Sequence, residues 1–228
     1  MSAKTRNIFR LFIGLISLPL PWFIKRWMLV TFLGFEIHPT ARIGWALILP
    51  RRLVMEEESR IGTLTVAKSL DYIFVGAHSI IGRGNWITGY PKGGLPFGHQ
   101  PSREPRFIIK EHSVLTHRHL VICNASVEIG RFSSVGGFRT TILTHSIDTV
   151  HNRQHAEPII IGDYCIVGTN CVLLPGSRLP DYSILGAMSL LNKAHTEPYQ
   201  AYGGVPAKPL KQLPKDAGYF LRERGYVV

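Results

Sequence analysis

From Ile161 the chain divides without a gap into the hexads IGDYCI, VGTNCV, LLPGSR, LPDYSI and LGAMSL. The first place is aliphatic every time (Ile161, Val167, Leu173, Leu179, Leu185) and the fifth is small every time (Cys165, Cys171, Ser177, Ser183, Ser189). Each hexad reads as one flat strand plus a corner: the aliphatic side chain fills the inside of a prism, and the small residue lets the next side pack close. Gly162, Gly168 and Gly186, in the second place, are expected to supply the backbone freedom of the corner. Pro180 shares that place and cannot take a positive φ, so its corner is expected to differ. The pattern recurs more weakly upstream at Ile37 and Ile43, Val75 and Ile81, and Ile129 and Val135. Three sides make a coil and stacked coils make a parallel β-helix, a quasi-one-dimensional solenoid.

Two stretches break the period, a Gly- and Pro-rich one at 89–106 and another at 146–158. In a solenoid such insertions project as loops, often on the binding face. Helix-forming sequence is confined to residues 1–36 and to the tail at 209–228, where a short capping helix is expected.

Residues 11–24 (LFIGLISLPLPWFI) are almost wholly apolar, preceded by Lys4, Arg6 and Arg10 and followed by Lys25 and Arg26. A spanning helix needs about 20 apolar residues, and Pro19 and Pro21 interrupt this run. It also lacks the small-residue cleavage site of a signal peptide. Two readings stand: a helical hairpin packed on the protein or on a neighbouring subunit, and an interfacial membrane anchor. In the second, Phe9, Leu11, Phe12, Leu15, Trp22, Phe23 and Trp27 enter the headgroup boundary and the basic residues meet anionic lipid at a cytoplasmic face.

Lys and Arg number 26 against 15 Asp and Glu, a net charge of +11 that suits an anionic ligand or surface. No aromatic and basic stacking motif accompanies it, so nucleic acid is not expected. The three cysteines (Cys123, Cys165, Cys171) are too few for a disulfide scaffold, contain no CxxC pair and suit a reducing compartment; Cys165 and Cys171 read as small core residues.

Three features together resemble the hexapeptide-repeat (left-handed parallel β-helix) acyltransferases, and among them the acetyl-CoA-dependent O-acetyltransferases of sugars, polysaccharides and xenobiotics. They are the hexad run, the segment Leu143-Thr144-His145-Ser146-Ile147-Asp148 ahead of an insertion and the restart PIIIGD, and Gly204-Val205-Pro206-Ala207-Lys208 after the last coil. The resemblance covers residues 37–210. It implies a left-handed β-helix assembled as a homotrimer, with acetyl-CoA between neighbouring subunits. His145 would be the general base on an acceptor hydroxyl, and Asp148 would either fix its tautomer or stand as a solvated loop carboxylate. Gly168, Thr169, Gly186, Ala187 and Ser189 match the coils that meet the pantetheine arm, while Pro206 belongs to the ending and Lys193 and Lys208 match positions that meet the nucleotide phosphates. His151 and His155 would shape the acceptor site.

One departure stands out: where many members place an active-site Trp, this chain has Cys165, leaving Tyr164, Trp86 or Phe138 to supply that wall. The expected acceptor is a glycan or glycolipid precursor, with N-acetylation of a nucleotide-linked amino sugar or an antibiotic as the alternative. A zinc hydratase resembling the γ-carbonic anhydrases would draw on His112, His117 and His119, but the ending and the His145 segment argue for CoA and against a metal.

Overall fold

A computed structural model describes residues 3–93 and 95–225, without the Ala3 and Lys4 side chains; Met1, Ser2, Gly94 and the last three residues, which belong to the segments expected at 1–36, 89–106 and 209–228, lie outside the described residues. Most strands form three sheets of seven, nine and seven strands, parallel except for the last strand of the nine, and the chain visits them in rotation. One complete coil, for example, runs through Ile159–Ile161, Ile166–Val167 and Val172–Leu173, and the next through Arg178–Leu179, Ile184–Leu185 and Leu190–Leu191. We call the three sheets the first, second and third faces, and name the edges by the face they follow, so that the second edge joins the second face to the third.

The aliphatic first places point into the prism. Ile161, Val167, Leu173, Leu179 and Leu185 are at most 1% exposed and belong to one continuous core with their counterparts in every coil. The small fifth places are buried as well, and apart from Ser177, whose Oγ has no partner among the described residues, their hydroxyls bond as well as make room: Ser113 Oγ donates to Gly130 O at 2.6 Å, Ser133 Oγ to Gly162 O at 2.7 Å and Thr140 Oγ1 to Gly168 O at 3.1 Å, each reaching the next coil. A hydroxyl buried in an apolar prism needs such a partner. The three cysteines are buried, and burial pushes the Cys165 thiol up to about 12, so these are packing residues.

The corners depart from the expectation. Positive φ falls on the fourth place of the hexad, at Tyr164 (54°), Asn170 (55°), Gly176 (73°), Tyr182 (57°) and Met188 (57°). The second-place glycines are needed for closeness: a Cβ on Gly162 would lie 2.7 Å from Asp181 N, and one on Gly168 2.6 Å from Ala187 N. Pro180 therefore needs no special corner, because the left-handed residue beside it is Tyr182. Along the first edge the fourth-place side chains His78, His112, Phe132, Tyr164, Tyr182 and Tyr199 stack ring on ring, with centroids 4.6 to 5.2 Å apart.

Helices α1 (Ala3–Ser17) and α2 (Trp22–Leu33) close the N-terminal end, with Leu29, Leu33 and Phe35 in the same core as the first coil. Lys25 is 2% exposed, gives its ammonium to Gly44 O at 2.6 Å, and is held down to about 8 by burial. Arg26 donates to Ile37 O and Arg10 to Pro50 O. These three cations bind backbone carbonyls of the prism instead of facing outward.

At the other end the tail is mostly not helical. Lys208–Gln212 runs antiparallel to Gln200–Gly203 and covers the open edge of the second face, and the expected helix is reduced to one 3-10 turn at Gly218–Phe220. Phe220 meets Tyr182 and Tyr199 edge on, and Arg222 donates to Phe132 O, so the tail clasps the aromatic stack. That apolar edge offers the tail more burial than an isolated turn of helix would.

Candidate functional site

Both insertions leave the prism at the third edge. The loop at 89–106 follows Trp86–Thr88, and the segment at 144–158 follows Thr141–Leu143, two coils on; between them the coil turns tightly through Asn124, Ala125 and Ser126. The later insertion is an antiparallel hairpin pairing His145 with Ala156, Ser146 with His155, Ile147 with Gln154 and Asp148 with Arg153. Thr144 is its root: its Oγ1 donates to Ile122 O at 2.8 Å and accepts from Ala125 N at 3.0 Å, fixing the point where His145 leaves the coil.

His145 is half-buried. Its Nδ1 is buried without a hydrogen-bond partner, and burial lowers the imidazole below its ordinary pKa, which keeps it neutral at neutral pH. A neutral imidazole can take a proton from a hydroxyl at a ring nitrogen the acceptor can reach.

Asp148 does not serve this histidine. Alternation along the strand turns it to the opposite side of the hairpin. There it accepts from His151 N at 3.1 Å, from His151 Nδ1 at 2.8 Å and from Arg153 Nε at 3.3 Å. The His151 backbone and ring hold its carboxyl down to about 2. Of the two roles open to it, the structure shows a carboxylate that organises the hairpin tip, and no hydrogen bond joins it to His145 among the described residues.

Sequence reasoning missed Gln100. Its side-chain amide accepts from Ala156 N at 2.9 Å and donates to Ala156 O at 3.1 Å, pairing with the residue opposite His145. Gln100 Nε2 also lies 3.4 Å from His155 Nδ1, while His155 Nε2 lies 2.8 Å from Glu157 Oε1. The loop that carries Gln100 is held by Arg103, 7% exposed, which donates to Tyr90 O at 2.5 Å, Pro91 O at 2.8 Å and Asn124 O at 2.9 Å beneath Phe97. Phe97, Ala125 and Ala156 form a small core of their own. A cleft of about 250 Å³ lined by Gln100, Ser102, Arg103, Ala125, Ala156 and Pro158 lies between loop and hairpin. The available signal was the hexad count, which puts both insertions on one edge.

The other expected site residues sit elsewhere. Gly168, Thr169, Gly186, Ala187 and Ser189 lie on the second edge, separated from His145 by the width of the third face, about 10 Å for a three-residue strand. Ser189 is buried and accepts from Gly204 N at 3.1 Å, and Thr169 Oγ1 donates to Phe138 O at 2.8 Å, so both hydroxyls are already used in the coil stack. Pro206 and Lys208 are exposed beside the last coil, and Lys193 is exposed at the upper end of the third edge.

Of the three aromatic candidates for the missing Trp wall, Tyr164 is locked in the first-edge stack, whereas Trp86 and Phe138 are 44% and 50% exposed at the second edge. The three histidines considered for zinc are spread likewise. His112 is in the first-edge stack; His117 and His119 are on the second edge, and His119 has both ring nitrogens taken by Thr116 Oγ1 and Thr140 N.

Compared with solved structures, the chain is similar to the polysialic acid O-acetyltransferase OatWY, at 15% identity over 78% of this chain and 84% of that one, with a TM-score of 0.56. The fold is that of a left-handed parallel β-helix. A hexapeptide-repeat acetyltransferase from Vibrio cholerae is also similar, at 15% identity over 92% of both chains with a TM-score of 0.47. A maltose O-acetyltransferase from Clostridium difficile 630 matches at 12% identity over 92% of this chain and 88% of that one, with a TM-score of 0.39. No family model matches the sequence, and no curated protein matches it.

Proposed function

We propose that this chain moves an acetyl group from acetyl-CoA to a hydroxyl of a sugar, polysaccharide or glycolipid precursor, with His145 as general base. The observation that carries the reading is a neutral, half-buried His145 on a braced hairpin, in a fold shared with an O-acetyltransferase. The acceptor oxygen attacks the thioester carbonyl while its proton passes to His145. The tetrahedral intermediate then expels the CoA sulfur, and the proton returns to the thiolate.

The third-edge base and the second-edge glycine coils are a face apart in one subunit. A homotrimer in which the third edge of one subunit meets the second edge of the next brings them together, and the resemblance to the hexapeptide-repeat enzymes supports that assembly. Gly168, Gly186 and Ala187 would then flank the pantetheine arm through their backbone, and Lys193 and Lys208 would meet the phosphates. The test is release of free CoA thiol from acetyl-CoA across a glycan panel, with wild type beside His145→Ala; turnover that survives the substitution would defeat the assignment of the base.

The same reading puts the outer side of the α1 and α2 hairpin on a membrane surface. No described helix is long and apolar enough to cross a membrane. Phe12, Phe23 and Trp27 are 58, 72 and 57% exposed, and Ile8, Leu11, Leu15 and Val30 extend the same apolar surface. A helix apolar on both sides is buried on both sides, and one side is already on the prism. Because Arg10, Lys25 and Arg26 are turned inward while Arg6 stays exposed, insertion of the apolar side chains carries most of the contact, with Arg6 left to meet anionic lipid. Flotation with phosphatidylcholine and phosphatidylglycerol vesicles should recover the wild type with both and lose it in a Phe12→Ser, Phe23→Ser, Trp27→Ser variant; recovery with neither would refute this part. Deleting residues 1–36 is no test, since it strips Leu29, Leu33 and Phe35 from the core.

A further inference from the structure

The second edge carries a column of cations that no carboxylate among the described residues pairs. Arg118 N donates to Arg83 O at 3.1 Å and Arg139 N to Arg118 O at 3.2 Å, so these arginines occupy successive rungs about 4.8 Å apart. All three are exposed, and none forms an ion pair among the described residues. No Asp or Glu occurs in 78–103, in 112–127 or in 129–147, the segments that build the second edge and third face of these coils. Their carboxylates Glu104, Glu111 and Glu128 pair with Arg106 and Arg131 instead.

Two exposed aromatic rings flank the column. Trp86 stands beside the Arg83 rung with the Lys68 ammonium 5.3 Å from its ring centroid, and Phe138 precedes Arg139. The column ends directly below the coil of Gly168 and Thr169, since Asn170 N donates to Phe138 O at 3.1 Å.

We propose that this part of the second edge is the acceptor subsite, and that the acceptor is an anionic glycan bearing carboxylate or phosphate groups. The inference rests on the transferase reading, which gives the upper part of the same edge to acetyl-CoA. Guanidinium forks pair with carboxylate and phosphate in two parallel hydrogen bonds, and sugar rings lie against aromatic faces. Three like charges stacked one rung apart, with no carboxylate among them, suit a ligand that brings the negative charge.

The test measures binding to the full-length protein of an oligogalacturonate, its carboxyl-reduced neutral counterpart and a phosphorylated mannose oligosaccharide, by calorimetry at low and high salt. Wild type should bind one or both anionic oligomers and bind the neutral one at least tenfold more weakly, with binding that weakens as salt rises. The variant Arg83→Gln, Arg118→Gln, Arg139→Gln should lose at least tenfold for the anionic oligomers while keeping the wild-type melting temperature and acetyl-CoA affinity. Which anionic oligomer responds separates a carboxylated from a phosphorylated acceptor. Equal binding of the charged and neutral oligomers, or no effect of the triple variant, would overturn the proposal. Loss of acetyl-CoA affinity in the variant would also overturn it, because the arginines would then hold the CoA phosphates. Arginine-dependent anion binding in a protein that takes no acetyl-CoA would uphold the subsite and defeat the transferase reading.

Discussion

His119 gives this fold a quantifiable sensitivity to acid. Its ring is 1% exposed in the fifth-place column of the second edge, where the neighbouring coils carry Asn85 and Thr140. Thr140 N donates to Nδ1 at 3.1 Å and the other nitrogen lies 3.0 Å from Thr116 Oγ1, which fixes the neutral tautomer with its proton on Nε2. A proton added to Nδ1 would face the Thr140 N–H, donor against donor. Burial, with His117 nearby, lowers the pKa from 6.5 to about 4. A folded pKa below the unfolded one means the unfolded chain binds the proton first. The stability is therefore complete above pH 6.5 and is lost as pH falls from 6.5 to about 4. At 1.36 kcal/mol per pH unit the loss approaches about 3 kcal/mol. His119→Asn removes the titration, and an Asn amide oxygen can still accept from Thr140 N–H. Urea unfolding at pH 7.5 and pH 4.5 should show the wild type losing about 2 kcal/mol more than the variant between these conditions. Other groups titrate alike in both proteins and cancel. Equal losses, or an imidazole titrating near 6.5 by NMR, would refute the argument.

His145→Ala should lower kcat by about 10²- to 10⁴-fold, whereas Asp148→Asn should change it by less than about threefold, because that carboxylate faces His151 and Arg153; steady-state rates on one acceptor compare them. The acid limb of the kcat/KM profile should fall below pH 6.5, since burial lowers the His145 pKa. Gln100→Ala should reduce kcat with little change in the KM for acetyl-CoA, because it frees Ala156 opposite His145 while leaving the second edge untouched. Leu173→Ala, at a fully buried interior place, should cost about 2 to 5 kcal/mol in urea unfolding.

The prism was legible because its two demands are local. An interior wide enough for one aliphatic residue per strand, and an edge that admits only a small one, write themselves into every hexad from Ile161 to Leu190. The corner chemistry was misread for a reason equally local. Second-place glycines suggested positive φ, yet the strain sits on Tyr164, Asn170, Tyr182 and Met188, and Gly162 is there because Asp181 N would meet its Cβ at 2.7 Å. Nothing within a single hexad reports contact with the next. The tail failed in the same way: Tyr219, Phe220 and Arg222 are helix-compatible in sequence, but their partners Phe132, Tyr164 and Tyr182 are rungs of a stack that exists only after folding. His145 was found from the segment around it, whereas its brace, Gln100, lies 45 residues earlier in the chain and touches it only through Ala156.

Positions for the two insertions follow from what a solenoid can and cannot tolerate. A coil in the middle of the stack must bond to neighbours above and below at every strand, so extra residues can leave only at an edge. Two loops from the same edge, with one tight coil between them, can then reach each other across Asn124, Ala125 and Ser126. Arg103 uses this geometry by binding Asn124 O and the loop's own Tyr90 and Pro91 carbonyls at once, which ties the loop to the intervening coil; Gln100 uses it again to hold Ala156. The loop therefore supports the hairpin before it can serve any acceptor. Within one subunit the second edge is the surface that carries charge no described side chain pairs, so on the proposals above the base is positioned by one edge and the acceptor is recognised by another, and a trimer that seats third edge on second would join the two.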